Sequence, residues 1–386
     1  MMGFFTSPRI CVGPGSIEQL SSLGVRRALL IVDPVVAEGG GDRRIREELQ
    51  KDGAQIEVSR AVQIGPTLDS LLEGGRAALE FRPDWIVAVG GGSTIDTAKG
   101  VWVRYARPDL DMVSLTPLTE LRLRDRARFV AIPSTSGSGS DATWVAHFWD
   151  ANKRPVELAS RELVPDWALL DPTLPATMPA AVAVDSGLDA LSHALEALAS
   201  SWATPFSDGL AREALATLVM QLPDSVDRPD DIELRGRIHY AATMAGLAIS
   251  NAQSGLVHAI AHAIGPRTRL THGRLVGVLL PHVLEFNFPA ARDRYSALAG
   301  VLGPAAIQRA SAFGERFHRL NEQLGVPPTL AAAGVDVHAL QDQMPEWLPL
   351  VQSSTSFGAN PRVPAPEELA ALCARAFGMS PPRALL

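Results

Sequence analysis

The first half of the chain alternates short apolar runs with amphipathic segments, and this alternation limits the folds that it can adopt. Residues 27–33, 85–89 and 129–133 contain continuous apolar runs of strand length, a pattern typical of strands buried on both faces. Helical periodicity separates them, for example over residues 69–79. Because parallel strands are joined through helical crossovers, the pattern predicts a parallel α/β sheet.

The second half of the chain has a different pattern. Beyond residue 173 strand signals nearly vanish, and long alanine- and leucine-rich segments with helical periodicity dominate. A chain of 386 residues is long enough for two domains with separate cores. We therefore predict an α/β domain over residues 1–177 and an all-helical domain over residues 178–386. Helices are expected at about 180–200, 207–221, 234–250 and 256–264, and from Pro366 onwards.

Charge and hydropathy argue against two classes of partner. The 35 basic and 42 acidic residues give a net charge of −7. This opposes general nucleic-acid binding, which needs a basic surface. No run of about 18 apolar residues is present, so no membrane partner is expected. Residues 1–5 lack the pattern of a signal peptide, and Cys11 and Cys373 do not indicate a disulfide framework, so the cytoplasm is the expected location.

Four residues of the second half have the spacing of a divalent-metal site. Asp189 and His193 stand four apart, so on a helix both side chains lie on one face and can reach one ion. His258 and His272 follow in a second cluster. Three imidazoles and one carboxylate suit Zn²⁺ or Fe²⁺, and such a site with an open position favours Lewis-acid chemistry. A single histidine among alanines is more often a packed core residue, but the grouping of four favours a metal.

A glycine-rich turn, Gly90-Gly91-Gly92-Ser93, directly follows the apolar run at residues 85–89. Glycines after a strand let the backbone approach a pyrophosphate, and Ser93 and Thr94 can cap the next helix, whose N-terminus attracts an anion. The motif departs from the usual Gly-x-Gly-x-x-Gly fingerprint. A tight strand-to-helix turn without a ligand is therefore the alternative interpretation.

Two further segments fit a nucleotide. Asp33 ends the first apolar run, where a carboxylate can accept hydrogen bonds from an adenosine ribose and would repel a 2′-phosphate, which favours NAD over NADP. An aspartate at a strand end is also common for local reasons. The loop at residues 134–141 is rich in serine and glycine. It has the groups to hydrogen-bond phosphate, ribose or a nicotinamide amide, and by composition it could equally be a flexible connector.

With these motifs in place, the chain resembles the iron-containing (metal-dependent) alcohol dehydrogenase family over nearly its whole length. The resemblance implies an N-terminal dinucleotide-binding α/β domain, a C-terminal all-helical metal-binding domain, a cleft between them, and a homodimer. The motifs that carry it are Gly13-Pro14-Gly15-Ser16, the loops at 90–96 and 134–141, Pro165-Asp166, Asp171-Pro172, the segments 189–196 and 258–273, and Asn360-Pro361-Arg362.

Carried over position by position, the resemblance implies roles for individual residues. The implied metal ligands are Asp189, His193, His258 and His272, and the implied catalytic residue is His262, a cleft histidine near the nicotinamide. The implied cofactor contacts are Gly91, Gly92, Ser93 and Asp96 at the pyrophosphate, Thr135 and Ser138 in the third loop, and Asp33 as the residue that selects NAD. Ser138 and Asp141 stand where the family usually has Thr and Glu, which keeps the hydroxyl and the carboxylate.

The activity implied by the resemblance is reversible hydride transfer between a small alcohol or aldehyde and NAD(P), with the substrate oxygen on a divalent metal. Fe²⁺ is the first choice for the metal and Zn²⁺ the alternative. His262 would relay the proton. A glycerol-dehydrogenase-like enzyme and a dehydroquinate-synthase-like cyclase are the alternative enzymes. A catalytically silent NAD(H)-binding regulatory protein is the alternative from another class.

The substrate is left open by the sequence. Trp144, His147, Phe148 and Phe357 are candidates to line a pocket, although large aromatics are more often core. His147 is otherwise grouped with the histidines that show no spacing pattern and are interpreted as structural or surface residues. We expect Arg267 and Arg269, just before His272, to face solvent rather than an anionic substrate.

Overall fold

A six-stranded parallel sheet dominates the N-terminal half of the chain in the computed structural model, which describes residues 5–59, 66–150 and 154–380. The strands are β1 (Arg9–Val12), β2 (Arg27–Val32), β3 (Gln55–Ser59), β4 (Trp85–Gly90), β5 (Arg128–Pro133), β6 (Val145–Trp149), β7 (Pro155–Ala159) and β8 (Trp167–Leu170). The sheet has the order β1-β8-β5-β4-β2-β3 with all neighbours parallel, and β6 and β7 form a separate antiparallel hairpin. The predicted parallel α/β sheet is confirmed.

Helices connect the strands and build the whole second half. The α-helices of the described residues are α1 (Pro34–Glu38), α2 (Gly41–Gln50), α3 (Leu68–Phe81), α4 (Gly92–Ala106), α5 (Ala180–Ala199), α6 (Pro205–Asp227), α7 (Ile232–Ser250), α8 (Leu256–Ile264), α9 (His272–Ser296), α10 (Ala299–Leu302), α11 (Ala310–Gln323), α12 (Val337–Asp342), α13 (Met344–Ser353), α14 (Thr355–Ala359) and α15 (Pro366–Phe377). Short 3₁₀ helices cover Ser16–Ser22, Leu123–Asp125, Arg161–Leu163, Pro175–Thr177, Gly265–Arg267 and Pro304–Ile307. The predicted all-helical second half is thereby confirmed.

The central strands are covered on both faces. In β2, Leu29 and Ile31 pack into the core shared with α3 and α4, whereas Ala28 and Leu30 pack into the core shared with α2. Successive side chains of a strand point to opposite faces, so both sets must be apolar when both faces are buried. This is why β2, β4 and β5 were recognisable as continuous apolar runs.

The elements that the sequence pattern missed have weak or interrupted signals. The edge strand β1 is four residues long and mostly exposed, and the hairpin strand β6 alternates buried and partly buried residues. Helix α9 contains Pro281 and Pro289, which interrupt the expected helical pattern. The predicted helix at 207–221 is longer in the structure, because α6 continues past Pro223 to Asp227.

Helix α5 is the centre of the C-terminal half. Every residue from Leu188 to Ala199 is buried, because α5 packs against α6, α7 and α9. Any polar side chain on this stretch must therefore find its partners inside the protein. Asp189, His193 and Glu196 all lie on it.

The loop after β5, residues 134–141, joins the two halves of the molecule. A β-carbon on Gly139, whose φ is +61°, would lie only 2.4 Å from the α-carbon of Gly246 in α7. On the same helix, the Thr243 hydroxyl donates to Asp141 Oδ2 at 2.8 Å, and His239 Nδ1 lies 3.0 Å from Ser136 Oγ. The loop that sequence composition left open as a flexible connector is thus packed against α7.

The predicted domain boundary at residues 177/178 falls between β8 and α5, and the division itself stays a prediction. Cys11 and Cys373 are unpaired. None of the helices in the described residues combines the length and the apolar character that a bilayer crossing requires. Residues 1–4, on which the expected cytoplasmic location partly rests, lie outside the description.

The close approach of the loop to α7 makes Gly246→Ala a sharp test of the packing. The new methyl group would lie 2.6 Å from the α-carbon and 2.8 Å from the carbonyl oxygen of Gly139. We expect a loss of about 2–3 kcal/mol in the free energy of unfolding, measured by urea titration. Gly209→Ala in α6 is the matched control, because open space surrounds that position and alanine favours a helix by up to about 1 kcal/mol. Equal effects of the two substitutions would contradict the close approach.

Candidate active site

One cavity of about 410 Å³ between the two halves brings together every residue that was predicted for the site. Its wall on the side of the sheet includes Asp33, Gly91, Gly92, Ser93, Asp96, Thr135 and Ser138, and its wall on the helical side includes Asp189, His193, His258, His262 and His272. Residues from β2 to α9 converge here because the carboxyl ends of parallel strands share one edge of the sheet. The cleft has the size of a small-ligand site, while the roles of the individual residues stay predictions.

The glycine turn packs directly against the loop at 134–141. A β-carbon on Gly92 would lie 2.6 Å from Ser138 Oγ, and one on Gly91 would lie 3.3 Å from the Thr135 side chain. Gly91 is the N-cap of α4, and no side chain caps this helix. The predicted cap by Ser93 and Thr94 is therefore wrong, and the first residues of this 15-residue helix line the cleft. Such an uncapped helix start suits an anionic group.

Two carboxylates of this wall hold the loops in place. Asp33 Oδ1 accepts the backbone N–H of Val35 at 2.9 Å, and Oδ2 accepts the Thr94 hydroxyl at 3.3 Å, so the local capping role considered for Asp33 is present. Asp96 Oδ2 accepts the backbone N–H of His147 at 3.0 Å, and Oδ1 accepts the Ser140 hydroxyl. Asp96 thereby ties α4 to both the loop at 134–141 and the β6–β7 hairpin, a role that spacing did not indicate.

The helical wall gathers imidazoles around one carboxylate oxygen. The Nε2 atoms of His258, His272 and His193 lie 3.3, 3.6 and 3.8 Å from Asp189 Oδ1. Two ligands held about 2.1 Å from a tetrahedral ion are separated by about 3.4 Å, so these are distances of atoms that share a cation. One donor atom from each of Asp189, His258 and His272 lies within 4.8 Å of the others, and His193 is outside this tighter group. The nitrogen and oxygen donors fit a borderline divalent metal such as Fe²⁺ or Zn²⁺.

The electrostatics of this cluster favour a bound cation. Burial would raise the pKa of the Asp189 carboxyl, but the His193, His258 and His272 imidazoles outweigh it and hold the pKa well below its usual range. Burial lowers the pKa of His193 to about 4, with Asp189 opposing it. The pKa of His272 is shifted in the same direction by the same causes. Neutral imidazoles present lone pairs, so an ionised carboxylate with neutral histidines is the protonation state that a metal needs.

His258 lies between the carboxylates of Asp189 and Glu196. Sequence analysis assigned no role to Glu196. Glu196 Oε2 accepts a hydrogen bond from His258 Nδ1, and Oε1 accepts the backbone N–H of Val257 at 2.7 Å. Burial lowers the pKa of His258, but Glu196 and Asp189 outweigh this and raise it to about 10. The pair of carboxylates thus favours positive charge at the ring, and a cation at Nε2 can supply it in place of a proton. Glu196 follows Asp189 by seven residues on α5, two helical turns along the same face, and this was the available signal.

Two further histidines, His262 of α8 and His147 of β6, line the cavity beyond the proposed ligands. The His262 ring stacks on His272 with centroids 5.1 Å apart, and the centroid of the His147 ring lies 4.4 Å from that of His262. Burial and the neighbouring histidines lower the pKa of His262 well below its usual value. The sequence offered His147 both as a structural or surface histidine and as a residue that lines a pocket, and it lines the cavity. Spacing gave no signal for its position, because the β6–β7 hairpin that carries it was not recognised in the sequence.

Of the other residues considered for the pocket, some line the cavity and others lie outside it. Trp144 and Phe148 line the cavity, whereas Phe357 is buried outside it. Arg267 does not line the cavity either and bonds to the Ala263 carbonyl at 2.9 Å. Arg269 is exposed outside the cavity, as expected for a residue that faces solvent.

The fold and the cleft together fit the class of nucleotide-dependent metalloenzymes, because an uncapped helix start faces the same cavity as a carboxylate–imidazole cluster that could hold a metal ion. Comparison with known families makes this specific. The profile described as "Iron-containing alcohol dehydrogenase" matches residues 7–172, and that described as "Fe-containing alcohol dehydrogenase family, C-terminal" matches residues 183–377. The chain belongs to the iron-containing alcohol dehydrogenase family. It is a metal-dependent, NAD(P)-dependent oxidoreductase that acts on CH–OH donors, as predicted. The family uses a divalent metal and a nicotinamide cofactor.

Individual relatives agree with this assignment. The chain is 32% identical over 371 residues to the NADPH-dependent butanol dehydrogenase of Clostridium saccharobutylicum, covering 93% of this chain and 94% of the relative. The solved iron-containing alcohol dehydrogenase of Thermococcus thioreducens superimposes with a TM-score of 0.88 at 35% identity, covering 98% of this chain and 100% of that one. The chain is also 32% identical over 369 residues to an aldehyde-alcohol dehydrogenase of Streptococcus pneumoniae, covering 88% of this chain but spanning only 42% of that longer protein.

The support of His258 by Glu196 gives a prediction for metal affinity. Glu196→Gln keeps the size of the side chain but weakens the acceptor for His258 Nδ1. We expect metal affinity to fall 10- to 100-fold, measured by titrating Fe²⁺ or Zn²⁺ into the metal-depleted protein. Glu213→Gln, the same change at an exposed position of α6, is the control. Unchanged affinity in Glu196→Gln would show that Glu196 does not support a metal ligand.

Proposed function

We propose that the chain interconverts small alcohols and aldehydes, with Asp189, His193, His258 and His272 as the metal ligands. The convergence of three imidazole Nε2 atoms on Asp189 Oδ1, at 3.3 to 3.8 Å, carries this proposal. A bound divalent metal would supply Lewis acidity for the substrate oxygen, and the nicotinamide would exchange the hydride. Fe²⁺ is the proposed metal and Zn²⁺ the alternative, since both fit the donors.

The chain's own residues provide positioning and proton handling. Gly91, Gly92 and Ser93 at the start of α4 would bind the pyrophosphate, and the loop with Thr135 and Ser138 would contact the rest of the cofactor. Asp96 would hold these loops in register through its bonds to Ser140 and His147, in addition to its predicted cofactor contact. Apolar groups such as Trp144, Phe148 and Ile249 line the cavity and would limit water near the reacting carbon.

His262 is the proposed proton carrier of the cleft. It lies beside His272, lines the cavity and has no carboxylate partner among the described residues. Its low pKa leaves the ring neutral, so that it can accept a proton released by an alcohol hydroxyl.

Two finer assignments belong to the same proposal. We propose NAD as the cofactor because the Asp33 carboxylate lines the cleft beside Gly91, although the C. saccharobutylicum relative is NADPH-dependent. We also propose a homodimer and the division into domains 1–177 and 178–386. The edge strand β1 exposes Ile10 and Val12, which leaves an apolar edge open to a second copy.

Removal of one ligand tests the metal site. His272→Ala should lower metal content to background and reduce aldehyde reduction by at least 1,000-fold, about 4 kcal/mol of transition-state stabilisation. Metal is measured by elemental analysis and turnover by oxidation of NAD(P)H against short aldehydes. His338→Ala, the same change at an exposed position of α12, should match the wild type. Full turnover by metal-depleted His272→Ala would remove the ligand assignment.

The cofactor preference is tested by Asp33→Ser. Serine keeps an N-cap acceptor for α1 but removes the negative charge. We expect the ratio of kcat/KM with NADPH to that with NADH to rise at least tenfold, about 1.4 kcal/mol. Asp336→Ser replaces the N-cap of α12, whose carboxylate accepts from Ala339 at 3.0 Å, and is the control for capping alone. A ratio that does not change in Asp33→Ser would show that Asp33 does not select NAD.

A further inference from the structure

His147 lies in the cleft without belonging to the proposed metal cluster. It stands in β6, and its backbone N–H is fixed by Asp96 Oδ2 at 3.0 Å. Its ring centroid lies 4.4 Å from that of His262, whose ring also stacks on His272. The metal-binding group of the described residues does not include it. The His147 imidazole therefore lies in the cleft beside His262, the proposed proton carrier.

The orientation of this imidazole is set by a cross-strand partner. His147 of β6 stands directly opposite Glu157 of β7 in the hairpin. Glu157 Oε2 lies 3.5 Å from His147 Nε2, so one ring nitrogen is directed to the carboxylate. Partial burial would raise the pKa of Glu157, but His147 outweighs it and lowers the pKa. An ionised Glu157 favours the tautomer that carries its proton on Nε2.

The other ring nitrogen remains available. Across residues 5–59, 66–150 and 154–380, no hydrogen-bond partner is found for His147 Nδ1. With the proton on Nε2, Nδ1 is an acceptor. The side chain is 36% exposed and lines the cavity, so a ligand can reach the ring. Apolar side chains such as Trp144, Phe148 and Ile249 line the same cavity, together with polar residues that include Thr143, Ser250 and Gln253. A pocket with a small number of polar groups orients its ligand through those groups, and His147 Nδ1 is one that has no partner within the described part of the chain.

We propose that His147 is a specificity-determining residue that binds a second hydroxyl group of the substrate, so that the cleft prefers diols and hydroxyaldehydes to unsubstituted alcohols and aldehydes. This inference rests on the proposed alcohol–aldehyde interconversion. The hydroxyl would donate to Nδ1 while the reacting oxygen lies at the Asp189 cluster. A substrate carboxylate in place of the second hydroxyl is disfavoured, because Glu157 Oε2 lies 3.5 Å from Nε2 of the same ring and would repel it.

Three substrates with the same three-carbon chain separate these cases: 1-propanol, 1,3-propanediol and 3-hydroxypropanoate. For the wild type, kcat/KM with the diol should exceed that with 1-propanol. In His147→Leu, the ratio of diol to 1-propanol should fall at least tenfold. His147→Asn keeps an acceptor and should restore part of the ratio. His338→Leu, the same change on the exposed face of α12, is the control and should keep the wild-type ratio.

A binding measurement makes the result independent of turnover. The enzyme with reduced cofactor forms a non-reacting complex with an alcohol, and its dissociation constant is read from cofactor fluorescence. The dissociation constant of the diol divided by that of 1-propanol should be at least tenfold higher in His147→Leu than in the wild type. Absence of turnover by the wild type on all three substrates would count against the proposed function, and this binding ratio would still decide the role of His147.

Three results would overturn the proposal. An unchanged ratio in His147→Leu would leave His147 a packing residue. If His147→Leu lowers kcat/KM more for 3-hydroxypropanoate than for the diol, the group that His147 recognises would be a carboxylate and not a hydroxyl. A change in the dissociation constant of the reduced cofactor alone would assign the imidazole to the cofactor.

Discussion

The buried carboxylate of Asp189 is the interaction on which the site depends. An ionised carboxylate inside a helical core is costly unless charge or hydrogen bonds surround it. Here the compensation comes from α8 and α9 as well as from α5, since His258 and His272 direct Nε2 at the same oxygen as His193 does. The three helices are therefore held together by the polar cluster in addition to their apolar packing. A divalent cation at the centre would complete the compensation, which links metal binding to the stability of the second half.

A second constraint is steric and joins the two halves. Gly139 and Gly246 allow the loop after β5 to touch α7, and Gly92 allows the start of α4 to touch the same loop. With the hydrogen bond from Thr243 to Asp141, these contacts set the width of the cleft. The nucleotide-type loops and the imidazole cluster belong to different layers of the fold. They face one another because small residues let the backbones come this close.

Prediction from the sequence succeeded where the signal is local. The strands β2, β4 and β5 were recognised because both of their faces are buried, and Asp189 with His193 was recognised because four residues make one helical turn. Prediction failed for Ser93 as a helix cap, since the backbone places Gly91 at that position and leaves the first turn uncapped. For His147 the sequence left two interpretations open and no means to choose between them, because this residue lies on a short hairpin strand without an apolar run. Glu196 received no role because its partner, His258, is 62 residues away and only packing of α5 against α8 brings them together.

By itself the sequence determined the α/β half, the helical half and the candidate residues of the proposed metal site, because periodicity and residue chemistry are properties of short segments. The order of the strands, the meeting of the loop at 134–141 with α7, and the placement of His147 beside His262 were decided by tertiary structure. These are contacts between residues far apart in the chain, and their geometry depends on how whole helices and strands pack. The same distinction holds for electrostatics. The histidines can be counted in the sequence, but which are held neutral and which favours a positive charge depends on burial and on the carboxylates that the fold places beside them.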